Sequence, residues 1–147
     1  MKRQPDSRTR EQRPRGKRAK VPSADTLVFV VDDEPFLREA LVEIVTGAGF
    51  PVVEADDGAV AIQLLRAGLR PSLILIDLSM RNMGGQAFRI EQTKDPALRE
   101  IETVVLTGSP VDRKSLGREL DGVTVMAKPV DYDELLAVLG RHGAPAA

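Results

Sequence analysis

From Thr26 onward, short aliphatic runs alternate with longer amphipathic segments, five of each, which predicts a parallel sheet joined by crossover helices. The first run, "TLVFVVD" (26–32), is rich in β-branched residues and reads as a strand. The segment after it, "DEPFLREALVEIVTGAGF", places Phe36, Leu37, Ala40, Leu41, Ile44 and Val45 at helical spacing. Pro35 suits a first helical turn, where its missing N–H costs nothing, so the helix is predicted to begin near Glu34 and to stop at Gly47 and Gly49.

A shorter strand follows, "PVVEA" (51–55), then a helix capped by Asp56 or Asp57, with Val60, Ala61, Leu64 and Leu65 inward and Gly68 as its stop. In "SLILID" (72–77) the apolar residues are consecutive rather than alternate, the mark of a central strand covered on both faces. After "MRNMGG" a helix runs through Ala87, Phe88 and Ile90 to about Asp95 and Pro96, and "ETVVLTG" (102–108) is the fourth strand. "VDRKSLGREL" has few apolar positions and an internal Gly117, which predicts a short or mobile helix. "GVTVMAKP" (122–129) is the fifth strand, and Asp131 caps a last helix with Leu135, Leu136, Val138 and Leu139 inward.

Five strand–helix units with right-handed crossovers make an α/β, flavodoxin-like (βα)5 three-layer sandwich, its parallel five-stranded sheet in the order 2-1-3-4-5. In such sheets ligands bind beyond the carboxyl ends of the strands, beside the point where winding reverses. Here that point lies between strands one and three.

Charge divides the chain unevenly. Residues 1–20 hold nine Lys or Arg against Asp6 and Glu11, a balance of +7, while residues 21–147 carry −8. The first stretch has one apolar side chain besides the initiator Met, Ala19, too little to offset the entropy of ordering. The expected organisation is a basic disordered extension (1–24), a folded domain (25–142) and a short flexible tail (143–147). The extension is of a kind that binds nucleic acid or an acidic surface by charge, or merely keeps the chain in solution. It has no aromatic residue on which a base would stack. There is no Cys, no secretory signal pattern and no apolar run near the ~18 residues of a membrane span. A cytoplasmic protein without a membrane span is expected.

Chemistry collects at the strand ends. Strand one ends in Asp32 and Asp33 and strand three in Asp77, so three carboxylates converge on the switch point. Close carboxylates repel by roughly 4 kcal/mol per pair at about 4 Å and an effective dielectric near 20. A hard divalent ion, Mg²⁺ or Mn²⁺, suits oxygen ligands with room for water, and the single His and absence of Cys leave nothing for zinc. Strand four ends in Thr107, a hydroxyl donor, and strand five in Lys128. Each residue alone has an ordinary structural use, as turn former, β-former or surface base. Together they fit phosphoryl transfer to Asp77, with the ion neutralising phosphoryl oxygens and Thr107 and Lys128 holding the rest.

These motifs, "VVDDEP", "ILIDLSMRNMGG", "VVLTG" and "AKPVD", resemble in order and spacing those of the receiver domain of two-component response regulators, over residues 26 to about 141. The resemblance implies that Asp77 accepts phosphate from a histidine kinase or histidine phosphotransfer protein. It implies that Mg²⁺ is held by Asp32, Asp33, Asp77 and the backbone carbonyl of Ser79, and that Thr107 and Lys128 contact the phosphate. A cis Lys128–Pro129 peptide is implied as well. Three positions depart from the family's pattern. Arg81 replaces a usual Pro and Gly84 a frequent Asp, implying a looser loop of different charge, and Val125 stands where receivers commonly carry an aromatic switch residue.

With only "GAPAA" after the last helix, the expectation is a single-domain receiver with no attached DNA-binding domain, acting as a signalling switch rather than an enzyme. It would dock on a downstream protein that the sequence does not name, or pass phosphate along a relay. An interaction module of the same fold that works without phosphate is the alternative. A haloacid-dehalogenase-type phosphatase would want a second Asp where Ser79 stands. His142 is expected on the surface at the end of the last helix.

Overall fold

The computed structural model describes residues 26–109 and 112–143; the basic segment 1–24 and residues 144–147 lie outside them. Its elements are β1 (Val28–Val31), α1 (Pro35–Gly47), β2 (Val52–Ala55), α2 (Gly58–Arg66), β3 (Leu73–Asp77), α3 (Gly85–Thr93), β4 (Glu102–Thr107), α4 (Arg113–Glu119), β5 (Thr124–Ala127) and α5 (Tyr132–Gly140). All strand pairs are parallel and the sheet order is β2-β1-β3-β4-β5, the flavodoxin-like arrangement.

The central strand explains the two-sided apolar run. Leu73 and Leu75 point into the layer shared with Leu41, Val45, Leu135, Val138 and Leu139 of α1 and α5. Ile74 and Ile76 point into the opposite layer, with Ala61, Ile62 and Leu65 of α2 and Phe88 of α3. All four are fully buried, at about 1.5–3 kcal/mol each, which fixes the strand end carrying Asp77.

Helix starts follow local chemistry. Glu34 caps α1 by accepting the N–H groups of Phe36 and Leu37, with Pro35 at the first helical position. Asp57, rather than Asp56, caps α2, Asp112 caps α4 and Asp131 caps α5. The predicted short α4 spans Arg113–Glu119. Its internal Gly117 allows close approach to β5, because a Cβ there would lie 2.8 Å from the Val123 carbonyl oxygen.

Several helix faces differ from the prediction. In α1 only Leu41 and Val45 are buried, while Phe36 and Leu37 are exposed. In α2 Ile62 faces inward and Val60 and Leu64 lie at the margin, and Gly58 at its start packs closely against Met83 of the β3–α3 loop. The inner face of α3 is Phe88, Arg89 and Gln92, with Ile90 outward. Burying these polar groups is tolerable because each is satisfied. Arg89 donates to the carbonyls of Leu120 and Asp121 and to Gln92 Oε1, and Gln92 donates to the carbonyls of Leu98 and Ile101 and to Thr103. Burial holds the Arg89 guanidinium below its ordinary pKa, against the pull of Asp121 and Glu100.

Candidate functional site

Asp32 follows β1 directly, and its N–H donates to the Ala55 carbonyl (3.1 Å), carrying the β1–β2 ladder one residue beyond the strand. Glu34 N–H donates to Asp32 Oδ1 (2.9 Å) and Arg38 Nη1 to the Asp32 carbonyl (2.7 Å). Asp77 is the last residue of β3, and Ser79 N–H donates to its Oδ1 (3.1 Å). One carboxylate oxygen from each of Asp32, Asp33 and Asp77 lies within 4.8 Å of the others. Strand order thus brings together residues 45 positions apart in sequence.

Lys128 enters from β5. Its N–H donates to the Thr107 carbonyl (2.8 Å), and its Nζ lies 2.7 Å from Asp77 Oδ2 and 3.8 Å from Asp32 Oδ2. The Lys128–Pro129 peptide is cis. Thr107 is buried at the end of β4, next after Leu106, the register partner of Asp77, and its Oγ1 accepts the Ser109 N–H (3.2 Å). Asp32, Asp33, Asp77, Ser79, Thr107 and Lys128 therefore all stand at the carboxyl end of the sheet, around the β1/β3 switch point.

The electrostatics leave this cluster short of positive charge. Asp32 is 0% exposed, and its Oδ2 accepts no hydrogen bond, the ammonium at 3.8 Å being beyond hydrogen-bonding range. Burial pushes the Asp32 carboxyl above its ordinary value; Glu34 N–H and Lys128 pull it down, and Asp77 and Asp33 push it up. A buried carboxylate oxygen without a hydrogen bond, among three acids that face one ammonium and the exposed guanidinium of Arg81, makes a donor set that a hard divalent cation such as Mg²⁺ would fit. Few side-chain ligands leave positions for water and for a phosphoryl oxygen.

The loop after β3 is anchored rather than loose. Gly58 N–H donates to the Met83 carbonyl, Gly85 N–H to the Leu78 carbonyl, and Asn82 Nδ2 to Asp57 Oδ2 (3.1 Å). That Asn82 bond, with the N–H groups of Val60 and Ala59, holds the Asp57 carboxyl below its ordinary pKa against a small burial effect. Gly84 fits because a Cβ there would collide with the Leu78 carbonyl oxygen. Arg81 N–H donates to Asp33 Oδ2 (3.0 Å), and Arg81 Nε lies 3.4 Å from the same oxygen. Arg38 was not expected at the site, since one base on a helix carries no local signal. Arg81 stood out only as a departure from Pro.

Val125 is buried, and Arg113 Nε donates to its carbonyl (2.9 Å) while Arg113 Nη2 pairs with Glu134 of α5 (2.6 Å). A cleft of about 610 Å³ lies here, along α4 and β5, away from the carboxylates. A smaller one of about 210 Å³ runs from Asp32 and Lys128 past Leu37, Ala40, Ile44 and Pro129. His142 corrects the surface expectation: its side chain is 13% exposed and lies 2.6 Å from Glu102 Oε1, with Arg141 on the same carboxylate. The helix end packs back on the start of β4, at the end of the sheet opposite the acids.

Among the described residues, no helix is long and apolar enough to cross a membrane. The family model of the response regulator receiver domain matches residues 28–140. The chain is 28% identical over 116 residues to sporulation initiation phosphotransferase F of Bacillus subtilis, covering 78% of this chain and 91% of that protein. It is 41% identical over 58 residues to the DNA-binding response regulator MtrA of Mycolicibacterium smegmatis, covering 40% of this chain and 25% of that longer protein. The signal receiver domain of a signal transduction histidine kinase from Syntrophus aciditrophicus superposes with a TM-score of 0.68 at 27% identity, covering 78% of this chain and 87% of that one.

Proposed function

The chain belongs to the response regulator receiver domain family, and from that premise we propose that it accepts phosphate on Asp77 from a histidine kinase or a histidine phosphotransfer protein. The observation that carries this reading is the buried Oδ2 of Asp32, which accepts no hydrogen bond beside Asp33 and Asp77 and has the Lys128 ammonium only at 3.8 Å, Lys128 being bonded to Asp77 instead. In the step, an Asp77 oxygen forms a bond to phosphorus as the P–N bond of a phosphohistidine breaks, and the imidazole leaves with the electron pair. Asp32, Asp33, Asp77 and the Ser79 carbonyl would hold Mg²⁺. When bound, the ion supplies the positive charge that offsets the phosphoryl oxygens. Lys128 Nζ moves from Asp77 Oδ2 to a phosphoryl oxygen, and the Thr107 hydroxyl donates to another.

Phe36 and Tyr132, 80% and 57% exposed, stand at the starts of α1 and α5, on the same end of the domain as Asp77. An apolar rim beside a charged cleft suits a protein donor, whose surface shields the transfer from water. Downstream action is through docking by the receiver unit, residues 25–142, in the cytoplasm.

Incubation with acetyl phosphate and Mg²⁺ tests the assignment. A mass gain of one phosphoryl group in the wild type and none in Asp77→Asn is expected. No gain in the wild type from acetyl phosphate or from a phosphorylated kinase would leave an interaction module that works without phosphate.

A further inference from the structure

Arg81 puts two donors on one oxygen of the acidic cluster. Its N–H (3.0 Å) and its Nε (3.4 Å) both face Asp33 Oδ2, while among the described residues no hydrogen bond is made to Asp33 Oδ1. The Arg81 side chain is 88% exposed, so packing does not hold it there; the carboxylate does. Asp33 itself is only 19% exposed at its side chain, a more shielded charge than its partner. Lys128 serves Asp77 and lies near Asp32, at 2.7 and 3.8 Å, which leaves Asp33 to Arg81. The cluster is thus shared between two protein cations, one from β5 and one from the loop after β3.

We propose that Arg81 is a positioning residue with a second role as a tethered counter-charge: its N–H orients Asp33, and its guanidinium competes with a divalent cation for that carboxylate. This rests on the Mg²⁺ site proposed above. Before the ion binds, the guanidinium lessens repulsion among the three acids. When the ion binds, it displaces the guanidinium, which swings into solvent at little cost because the arm is exposed. The competition raises the Mg²⁺ concentration at which Asp77 becomes competent without changing the chemistry once the site is full.

The loss of one exposed ion pair bounds the effect at about a two- to five-fold change in affinity. The experiment is calorimetric titration of the full chain with MgCl₂ at ~0.15 M ionic strength, where the screening length is about 8 Å and remote charges count little. Arg81→Ala, which keeps the N–H on Asp33, is expected to bind Mg²⁺ about two- to five-fold more tightly than wild type. Arg81→Lys should fall between them, and Arg66→Ala, a remote loss of the same charge, should match wild type. With acetyl phosphate as donor, the Mg²⁺ concentration for half-maximal phosphorylation should fall by the same factor in Arg81→Ala, with the rate at saturating Mg²⁺ unchanged. Equal or weaker Mg²⁺ binding by Arg81→Ala, or equal tightening by Arg66→Ala, would overturn the proposal. If wild type and variant alike bind no Mg²⁺, the metal site itself is wrong and the inference falls with it.

Discussion

Asp32→Asn offers a direct view of the strain in the carboxylate cluster. Asp32 is fully buried, one of its oxygens accepts no hydrogen bond, and oxygens of Asp33 and Asp77 lie within 4.8 Å. At that separation and an effective dielectric near 20, each like-charge pair costs about 3.5 kcal/mol, and the ammonium of Lys128 at 3.8 Å returns about 4. Two repulsions against one attraction leave about 2–3 kcal/mol, and the partial exposure of Asp33 and Lys128 lowers the lower bound, for a range of about 1–3. The amide oxygen of Asn keeps the bond from Glu34 N–H, so little is lost in exchange. Asp32→Asn is therefore expected to be about 1–3 kcal/mol more stable than wild type in EDTA, a rise in urea midpoint on the order of 1 M. Mg²⁺ should stabilise the wild type, as any ligand of the folded state does, and leave the variant unmoved. The pH dependence gives an independent check. The folded Asp32 pKa lies above its ordinary value of 3.8, so the folded state holds the proton more tightly than the unfolded one. That contribution is complete below pH 3.8 and is lost as pH rises through the folded value, so the stability of cation-free wild type relative to Asp32→Asn should fall over that window, the lowered carboxyls Asp57 and Glu91 being common to both. A variant no more stable than wild type in EDTA would refute the electrostatic reasoning.

Two further outcomes follow from other parts of the molecule. Gln92→Ala removes the donor and acceptor that satisfy Arg89, Thr103 and the carbonyls of Leu98 and Ile101 in a buried network, and should cost about 2–4 kcal/mol in urea unfolding with Mg²⁺ affinity unchanged. Phe36→Ala should slow phosphate transfer from a phosphorylated histidine donor by about ten-fold, the loss of one well-buried interface anchor, while the rate with acetyl phosphate stays the same.

The sheet was legible because its signals are local and redundant: consecutive aliphatics in β3, acidic and Glu caps before the helices, glycines after them. The location of the candidate site was legible because topology turns strand ends into neighbours, so the convergence of Asp32, Asp33, Asp77, Thr107 and Lys128 could be assembled from strand order alone. What escaped depends on three-dimensional partners. Periodicity treats an arginine on α3 as outward, yet Arg89 is buried because the carbonyls of Leu120 and Asp121, 31 and 32 residues later, are there to receive it. Phe36 counts as a core position by spacing, but it lies in the first turn of α1, beyond the edge of the apolar layer. His142 was placed in solvent because nothing local predicts Glu102, 40 residues upstream. The loop after Asp77 was expected to be loose for want of a Pro, whereas backbone bonds to Asp33 and Gly58 anchor it.

The proposed function stands or falls on Asp77 carrying the phosphate. Chemical trapping decides it: react the protein with acetyl phosphate and Mg²⁺, reduce the acyl phosphate with borohydride, and sequence the peptides that contain Asp32, Asp33 and Asp77 by tandem mass spectrometry. An acyl phosphate on Asp77 leaves homoserine at that position and nowhere else. Homoserine at Asp32 or Asp33 instead, or at none of the three in protein that gained a phosphoryl group, would contradict the assignment.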